Sequence, residues 1–400
     1  MIDSIEIKNF KSIVDLKVDL GRFNIVIGEN GCGKTNFLEA FSFASSAIQY
    51  NMSNDVLGSK IRMTPKQFIL PAFDDTSNNS FVQIKVTEPG KLNNLVICAY
   101  DPENNRWINI GETGDDFRSV AILNNLREKN PDLFSSIIES DIKSYKDYVE
   151  QFKKDLQEEN VEHIHKKAPR LLDKYKRIFF GNSSLKDFVI FSPEETKLRQ
   201  FSDEAQILPL GRKGEGLFQY LKFLSKEKET KLLGKIIDGL FLLDWFKDLE
   251  IPDDLLSNDP NINISDRYIN TTLRFFDQRS TNEGFLYLLF YLTLFQSNIT
   301  PSCFAIDNIE NSFNPKLCKK LISLLNQLSL ENNKQVILTT HNPFVLDGLN
   351  IKDDSQRLFV ARRDVNGHTV INRVQHKENM RIRLSEAWMK GFFGGLPENF

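Results

Sequence analysis

The chain opens on alternation. Ile2, Ile5, Ile7 and Phe10, then Ile13, Leu16, Val18 and Leu20, are interleaved with polar residues, and Gly21 separates them from Phe23-Asn24-Ile25-Val26-Ile27. A period of two predicts three strands, the third leading straight into a glycine-rich stretch. After Lys34 the period lengthens, and Phe37, Leu38, Phe41, Ala44 and Ile48 fall on one face of a helix that ends near Asn51. Between about 50 and 115, the runs 80–86 and 95–100 are separated by Asn, Gly and Pro clusters and predict antiparallel sheet.

From about 117 to 180 Lys, Glu, Asp and Tyr recur at helical spacing with almost no glycine, which predicts a helical insertion. Its opposite charges are interspersed, so it reads as a solvated hairpin rather than a nucleic-acid arm. A further helical segment is expected from Gly216 to about Asp248, after the loop Gly211-Arg212-Lys213-Gly214-Glu215-Gly216. From 301 onward the pattern is that of a buried parallel sheet: Cys303-Phe304-Ala305-Ile306-Asp307, a helix from about Lys316 to Leu330, then Gln335-Val336-Ile337-Leu338-Thr339-Thr340-His341. A terminal hairpin around Asn366-Gly367 is expected to turn tightly, and a short helix from Ser385 precedes a glycine-rich tail.

Composition narrows the classes. Lys plus Arg (51) nearly cancels Asp plus Glu (54), which excludes a globally basic nucleic-acid coat and an acidic disordered tail, so any nucleic-acid contact must be a local patch. Cys32, Cys98, Cys303 and Cys318 are scattered, two of them within apolar runs, the pattern of reduced, buried thiols in a cytoplasmic protein. Residues 1–10 hold no apolar signal core, and no uncharged run approaches the roughly 18 residues of a membrane span. The expectation is a soluble cytoplasmic protein of two or three parts: 1–115 with a glycine-rich loop and antiparallel strands, 116–260 as helical insertion and lobe, and 261–400 closing the first part.

The strongest chemical signal is Gly28-Glu29-Asn30-Gly31-Cys32-Gly33-Lys34-Thr35, which fits G-x-x-x-x-G-K-[ST] between an apolar strand and a helix. Glycines let backbone N–H groups turn inward around phosphates, and the helix N-terminus adds partial positive charge. Lys34 would reach β and γ oxygens, and the Thr35 hydroxyl would ligate Mg2+. Asp307, ending an apolar strand, is the candidate second metal ligand. His341, ending another, is placed to sense a γ-phosphate. His163 and His165 with Glu162 have lysine neighbours and read as a solvated helix face. Arg357, Arg362, Arg363, Arg373, Arg381 and Arg383 make the C-terminal region locally basic, either an unliganded surface or a contact for DNA, RNA or an acidic partner.

Taken together, Ile5 to Ser12, the P-loop, the Asp307 strand with Glu310 and Asn314-Pro315, and Thr340-His341-Asn342-Pro343-Phe344-Val345-Leu346-Asp347 resemble the ABC-class ATPases of the SMC, RecF and OLD type. Within that class they resemble the small bacterial "AAA family" ATPases of mobile and phage-defence loci. The resemblance covers 1–50 and about 265–400, and implies an α/β P-loop NTPase head, a mixed sheet with flanking helices, carrying a helical insertion. It implies a homodimer or higher homo-oligomer closed around ATP and Mg2+, with the signature Ser280-Thr281-Asn282-Glu283-Gly284 of one copy reaching the ATP of the other through Ser280, Asn282 and Gly284. It also implies nucleotide contact by Lys11, and water positioning or catalysis by residue 308, Glu310 and His341. Its glutamine loop is not placed.

Two positions depart from the family pattern. Asn282 stands where a serine is usual, with Ser280 and Thr281 upstream as substitutes. Asn308 stands where a catalytic glutamate follows the metal-holding aspartate. An amide can orient water but cannot accept its proton at neutral pH, so slow hydrolysis is expected, with Glu310 as partial compensation. The leading functional expectation is an ATPase that regulates a separate nuclease or toxin in anti-phage defence. The alternatives are a RecF/SMC-like DNA-repair or chromosome-maintenance ATPase and a catalytically silent, ATP-bound scaffold.

Overall fold

The computed structural model describes residues 1–49, 52–62, 65–73, 81–89, 94–101, 106–109, 183–201, 210–226, 230–252, 262–269, 275–376 and 382–396. The expected helical insertion at 117–180, with His163, His165 and Glu162, and Arg381 lie outside them.

Strands β1 (Ser4–Phe10), β2 (Ile13–Asp19) and β3 (Phe23–Ile27) form where the alternation predicts them. β1 and β2 join β4 (Phe81–Thr87), β5 (Asn94–Asp101) and β6 (Arg106–Asn109) in an antiparallel sheet of order β2-β1-β4-β5-β6. β3 crosses into a second sheet of order β13-β12-β3-β11-β10-β7, built with β7 (Val189–Phe191), β10 (Cys303–Ile306), β11 (Gln335–Thr340), β12 (Gln356–Arg363) and β13 (Thr369–Val374). Its pairs are parallel except β12 with β13.

Helix α1 (Lys34–Ile48) lies between the two sheets and is buried from Phe37 to Ile48. Helices α2 (Asn54–Lys60) and α3 (Lys66–Ile69) follow it, and α4 (Glu195–Leu198) follows β7. The far face of the mixed sheet is covered by α5 (Leu217–Lys226), α6 (Thr230–Leu240), α7 (Glu283–Gln296) and α8 (Pro315–Glu331). Along each central strand the side chains divide by parity. Val26, Ala305, Ile337 and Phe359 enter the core shared with α1. Ile25, Ile27, Phe304, Ile306, Val336, Leu338 and Leu358 enter the core shared with α7 and α8. Period-two strands buried on both faces therefore read as continuous apolar runs. α7 is buried all round from Phe285 to Gln296, as a helix without a polar face must be.

The expected helical segment from Gly216 breaks after Leu240, and Phe246–Glu250 is a strand, β8, paired with β9 (Asn263–Asp266). Phe246 and Leu249 are buried while Lys247 and Asp248 are exposed, an arrangement that a helical reading of so short a run also allows. The terminal hairpin is less tight than Asn-Gly suggests: Arg363 pairs with Thr369, leaving a five-residue loop. The Asp364 carboxylate ties that loop by accepting from the Asn366 and His368 amides. Helices α9 (Pro343–Leu346) and α10 (Leu384–Met389) complete the chain, and the four cysteines are free and buried as expected.

Candidate nucleotide site

Three parallel strands set the site. Ile27 of β3 pairs with Thr340 of β11, and Ile306 of β10 pairs with Leu338, so the chain leaves β3, β10 and β11 at neighbouring points along one edge. Carboxyl ends of adjacent strands at a change of strand order are where open α/β sheets bind ligands. The residues emerging there are Gly28, Asp307 and His341.

The P-loop has no room for other residues at its two ends. Gly28 has φ 152°, and a Cβ there would meet the Ala361 carbonyl oxygen at 2.2 Å. Gly33 has φ 102°, and its Cβ would lie 2.1 Å from Thr369 Oγ1. Thr369 holds the loop from outside by donating to the Cys32 carbonyl at 2.9 Å, and it meets Ser12 Oγ at 2.7 Å. Arg363 Nε donates to the Gly31 carbonyl at 3.0 Å. That role was not visible in a sequence reading that counted Arg363 as part of a basic surface. Arg357 and Arg373 are paired with Asp354, so three of the C-terminal arginines are engaged within the fold. Glu29 and Asn30 form the crest with Gly31, and the Glu29 carbonyl faces inward.

Lys34 is 6% exposed, and its ammonium donates to the Gly28 and Glu29 carbonyls, both at 2.9 Å. Burial lowers its pKa, while Cys32, Asp307 and Glu310 pull the other way. Its Nζ lies 3.5 Å from His341 Nδ1. Burial and then Lys34 hold the imidazole below its usual pKa, so at pH 7 it is neutral and available to accept one hydrogen bond and donate another. Thr35 Oγ1 donates to Asp307 Oδ2 at 3.2 Å, and Thr339 donates to Asp307 Oδ1. A hydroxyl and a carboxylate side by side suit Mg2+, a hard cation that takes few protein oxygens and completes its shell with water and phosphate. Among the described residues no group of three or more His, Cys, Asp or Glu gathers as for a transition metal.

Asn308 has φ 58°, the left-handed conformation that Asn tolerates better than other side chains, and its amide donates to Thr339 Oγ1 at 3.0 Å. Glu310 Oε1 accepts from the His341 amide at 2.8 Å. Glu310 therefore supports the backbone of the histidine.

Lys11 is bonded to the Glu39 carboxylate at 2.5 Å and to the Arg62 carbonyl at 2.6 Å. Glu39, 2% exposed on α1, also accepts from the Arg62 amide and guanidinium at 2.8 and 3.0 Å. Arg62 in turn reaches Asn36 Oδ1 at 3.5 Å, next to Thr35, and Asn36 donates to Ser12 at 2.6 Å. Glu39, Arg62 and Asn36 were missed because no spacing in the sequence links them.

The segment 280–284, expected as a signature, borders a different cleft. Asn282 caps α7 by accepting from Phe285 N at 2.9 Å, and Ser280 Oγ donates to Asp277 at 2.6 Å. Glu283 accepts from Ser312 Oγ at 2.7 Å. A cleft of about 740 Å³ beside Asn282 and Gly284 is lined by Arg199, Trp245, Lys316 and Lys320 as well, and by no residue of the P-loop. Gly284 thus borders a cleft that Lys34 of the same chain does not line.

The sequence matches the AAA ATPase domain family over residues 1–240. The chain belongs to that family. Its head is an α/β P-loop NTPase fold. Over 55 residues it is 42% identical to the "DNA replication and repair protein RecF" of Lactococcus lactis subsp. cremoris, 14% of this chain and 15% of that protein. The chain thus matches only about a seventh of its curated relative. A solved SMC head bound to the C-winged helix domain of ScpA superposes with TM-score 0.53 at 13% identity, covering 95% of this chain and 99% of the other, which speaks for the fold alone. An SMC head domain from Thermotoga maritima gives 0.45 at 12% identity, covering 94% and 99%. Among the described residues of this AAA ATPase domain no helix is long and apolar enough to cross a membrane.

Proposed function

We propose that this ATPase binds ATP with Mg2+ in the loop Gly28–Thr35 and works as a homodimer or higher homo-oligomer in which each copy completes the other's site. The observation that carries the reading is the convergence of Lys34, Thr35, Asp307 and His341 at three adjacent strand ends. Backbone amides of the loop and Lys34 would hold the β and γ phosphates. Thr35 and Asp307 would hold Mg2+, whose charge offsets that of the phosphates. Lys11, bonded to Glu39 beside Arg62 and Asn36, would border the nucleoside side. The separation of the signature cleft from the same chain's P-loop supports contact in trans, with Gly284, Ser280 and the Asn282-capped helix N-terminus facing the partner's γ-phosphate.

Hydrolysis on this reading is slow, because Asn308 offers an amide where a proton acceptor is needed. Long-lived ATP occupancy suits a cytoplasmic regulator that grips and releases a separate effector, a nuclease or toxin of anti-phage defence. That last step rests on family analogy. Sedimentation with ATP and Mg2+ tests the core: wild type should dimerise and Lys34→Ala should not, and a monomer in both would refute it.

The local match to RecF and the SMC-head fold favour a second reading, a DNA-binding repair or maintenance ATPase. ATP-enhanced, salt-sensitive duplex binding would support it, since phosphate contacts release counterions.

A further inference from the structure

Among the enclosed polar atoms without a hydrogen-bond partner in the described residues are two near His341: Glu310 Oε2 and the Tyr291 hydroxyl. Tyr291 is fully buried in the middle of α7, its ring centroid 6.2 Å from that of Phe313. Cys318 lies between the same elements, donating to the Phe313 carbonyl at 3.7 Å and accepting from Asn342 Nδ2 at 3.7 Å. Burial, then Tyr287, then Glu310 raise the pKa of the Tyr291 hydroxyl, so the carboxylate is close enough for its charge to be felt. One orphan is an obligate acceptor and the other a donor. Buried polar atoms are rarely left unpaired, and an enclosed water with two to four partners is the usual way a protein joins such a pair.

We infer that the Tyr291 hydroxyl reaches Glu310 Oε2 through one enclosed water, making Glu310 and Tyr291 a brace that ties the backbone of His341 to α7. Both are positioning residues for His341, and the inference rests on the ATP-site reading above. Glu310 Oε1 already accepts from the His341 amide, and Oε2 faces the interior. One carboxylate oxygen is thus spent on the His341 backbone and the other is enclosed. A second tie, Ser312 Oγ to Glu283 Oε2 at 2.7 Å, joins the same 307–314 loop to the first turn of α7. Eight residues separate positions 283 and 291, about 12 Å of helix at roughly 1.5 Å per residue. Two attachments that far apart fix the tilt of α7 relative to His341. A shift of α7 when a partner's phosphate meets the Asn282 cap is thereby carried to the imidazole, 3.5 Å from Lys34 Nζ.

Tyr291→Phe removes the hydroxyl and nothing else. If that hydroxyl only packs, its loss leaves hydrolysis unchanged and stability equal or higher, since an unpaired buried polar group costs energy. The brace predicts that Tyr291→Phe slows single-turnover ATP hydrolysis about tenfold with ATP affinity held within twofold. It also predicts that Glu310→Gln slows hydrolysis at least as much, and that the double variant is no slower than Glu310→Gln alone, because both cut one link. A Tyr291→Phe rate equal to wild type, or losses that multiply, would overturn it. A crystal structure judges the brace without nucleotide: a water bonded to both oxygens supports it, and a Tyr291 hydroxyl bonded elsewhere overturns it. Wild type that fails to bind ATP, measured against Lys34→Ala, refutes the ATP-site reading instead and leaves the crystallographic result to stand by itself.

Discussion

Asn308→Glu is the most informative substitution. The side chain follows Asp307 directly, and its backbone is fixed twice, by φ 58° and by the amide bond to Thr339 Oγ1 at 3.0 Å. The left-handed conformation costs a glutamate about 1 kcal/mol more than an asparagine. Against a typical total of about 5–15 kcal/mol, that loss leaves the protein folded. A positioned general base is worth about 10²- to 10⁴-fold in rate, or about 2.7–5.4 kcal/mol of barrier at 1.36 kcal/mol per tenfold. The variant should therefore hydrolyse ATP at least about a hundredfold faster in single turnover, while urea unfolding shows the loss of about 1 kcal/mol. Asn308→Gln keeps an amide and should show the strain without the gain. If Asn308→Glu binds ATP as wild type does but turns it over no faster than about threefold above it, the missing base does not limit this enzyme.

Other outcomes follow from the same geometry. Gly33→Ala puts a methyl 2.1 Å from Thr369 Oγ1 at φ 102°, and the strain of about 1–3 kcal/mol should weaken ATP binding more than tenfold by calorimetry. Asp307→Asn removes the carboxylate bonded to Thr35 and Thr339, and a Mg2+ titration of hydrolysis should show at least a loss of about 10² in rate with ATP still bound. Lys334 is 3% exposed and donates to the Ser297, Thr300 and Pro301 carbonyls and to Thr300 Oγ1 at 2.7–3.2 Å beyond the end of α7. Lys334→Met strands those oxygens and should cost about 2–4 kcal/mol in urea unfolding. Burial lowers Lys334 from 10.5 to about 8. Between those pH values the unfolded chain holds the proton more fully, so wild-type stability should rise from pH 8 toward 10.5, a rise absent in Lys334→Met.

The residues of the P-loop were legible because a local rule requires them: a strand, a turn that only glycine can make at 28 and 33, and a helix start lie within one short window. Asp307 and His341 were legible for a related reason, since an apolar run buried on both faces must stop where polar side chains begin. The five-residue hairpin loop and the strand at 246–250 were misread, because Asp364 and the pairing with β9 outweigh local preference there. Sequence order could not show that 27, 306 and 340 end side by side, since register belongs to pairing between distant strands. Nor could it show that Arg363 holds Gly31, that Glu39 gathers Lys11 and Arg62, or that Glu310 spends an oxygen on the His341 amide. Those contacts join residues 23 to 332 positions apart, and only folding brings their polar groups within hydrogen-bonding distance.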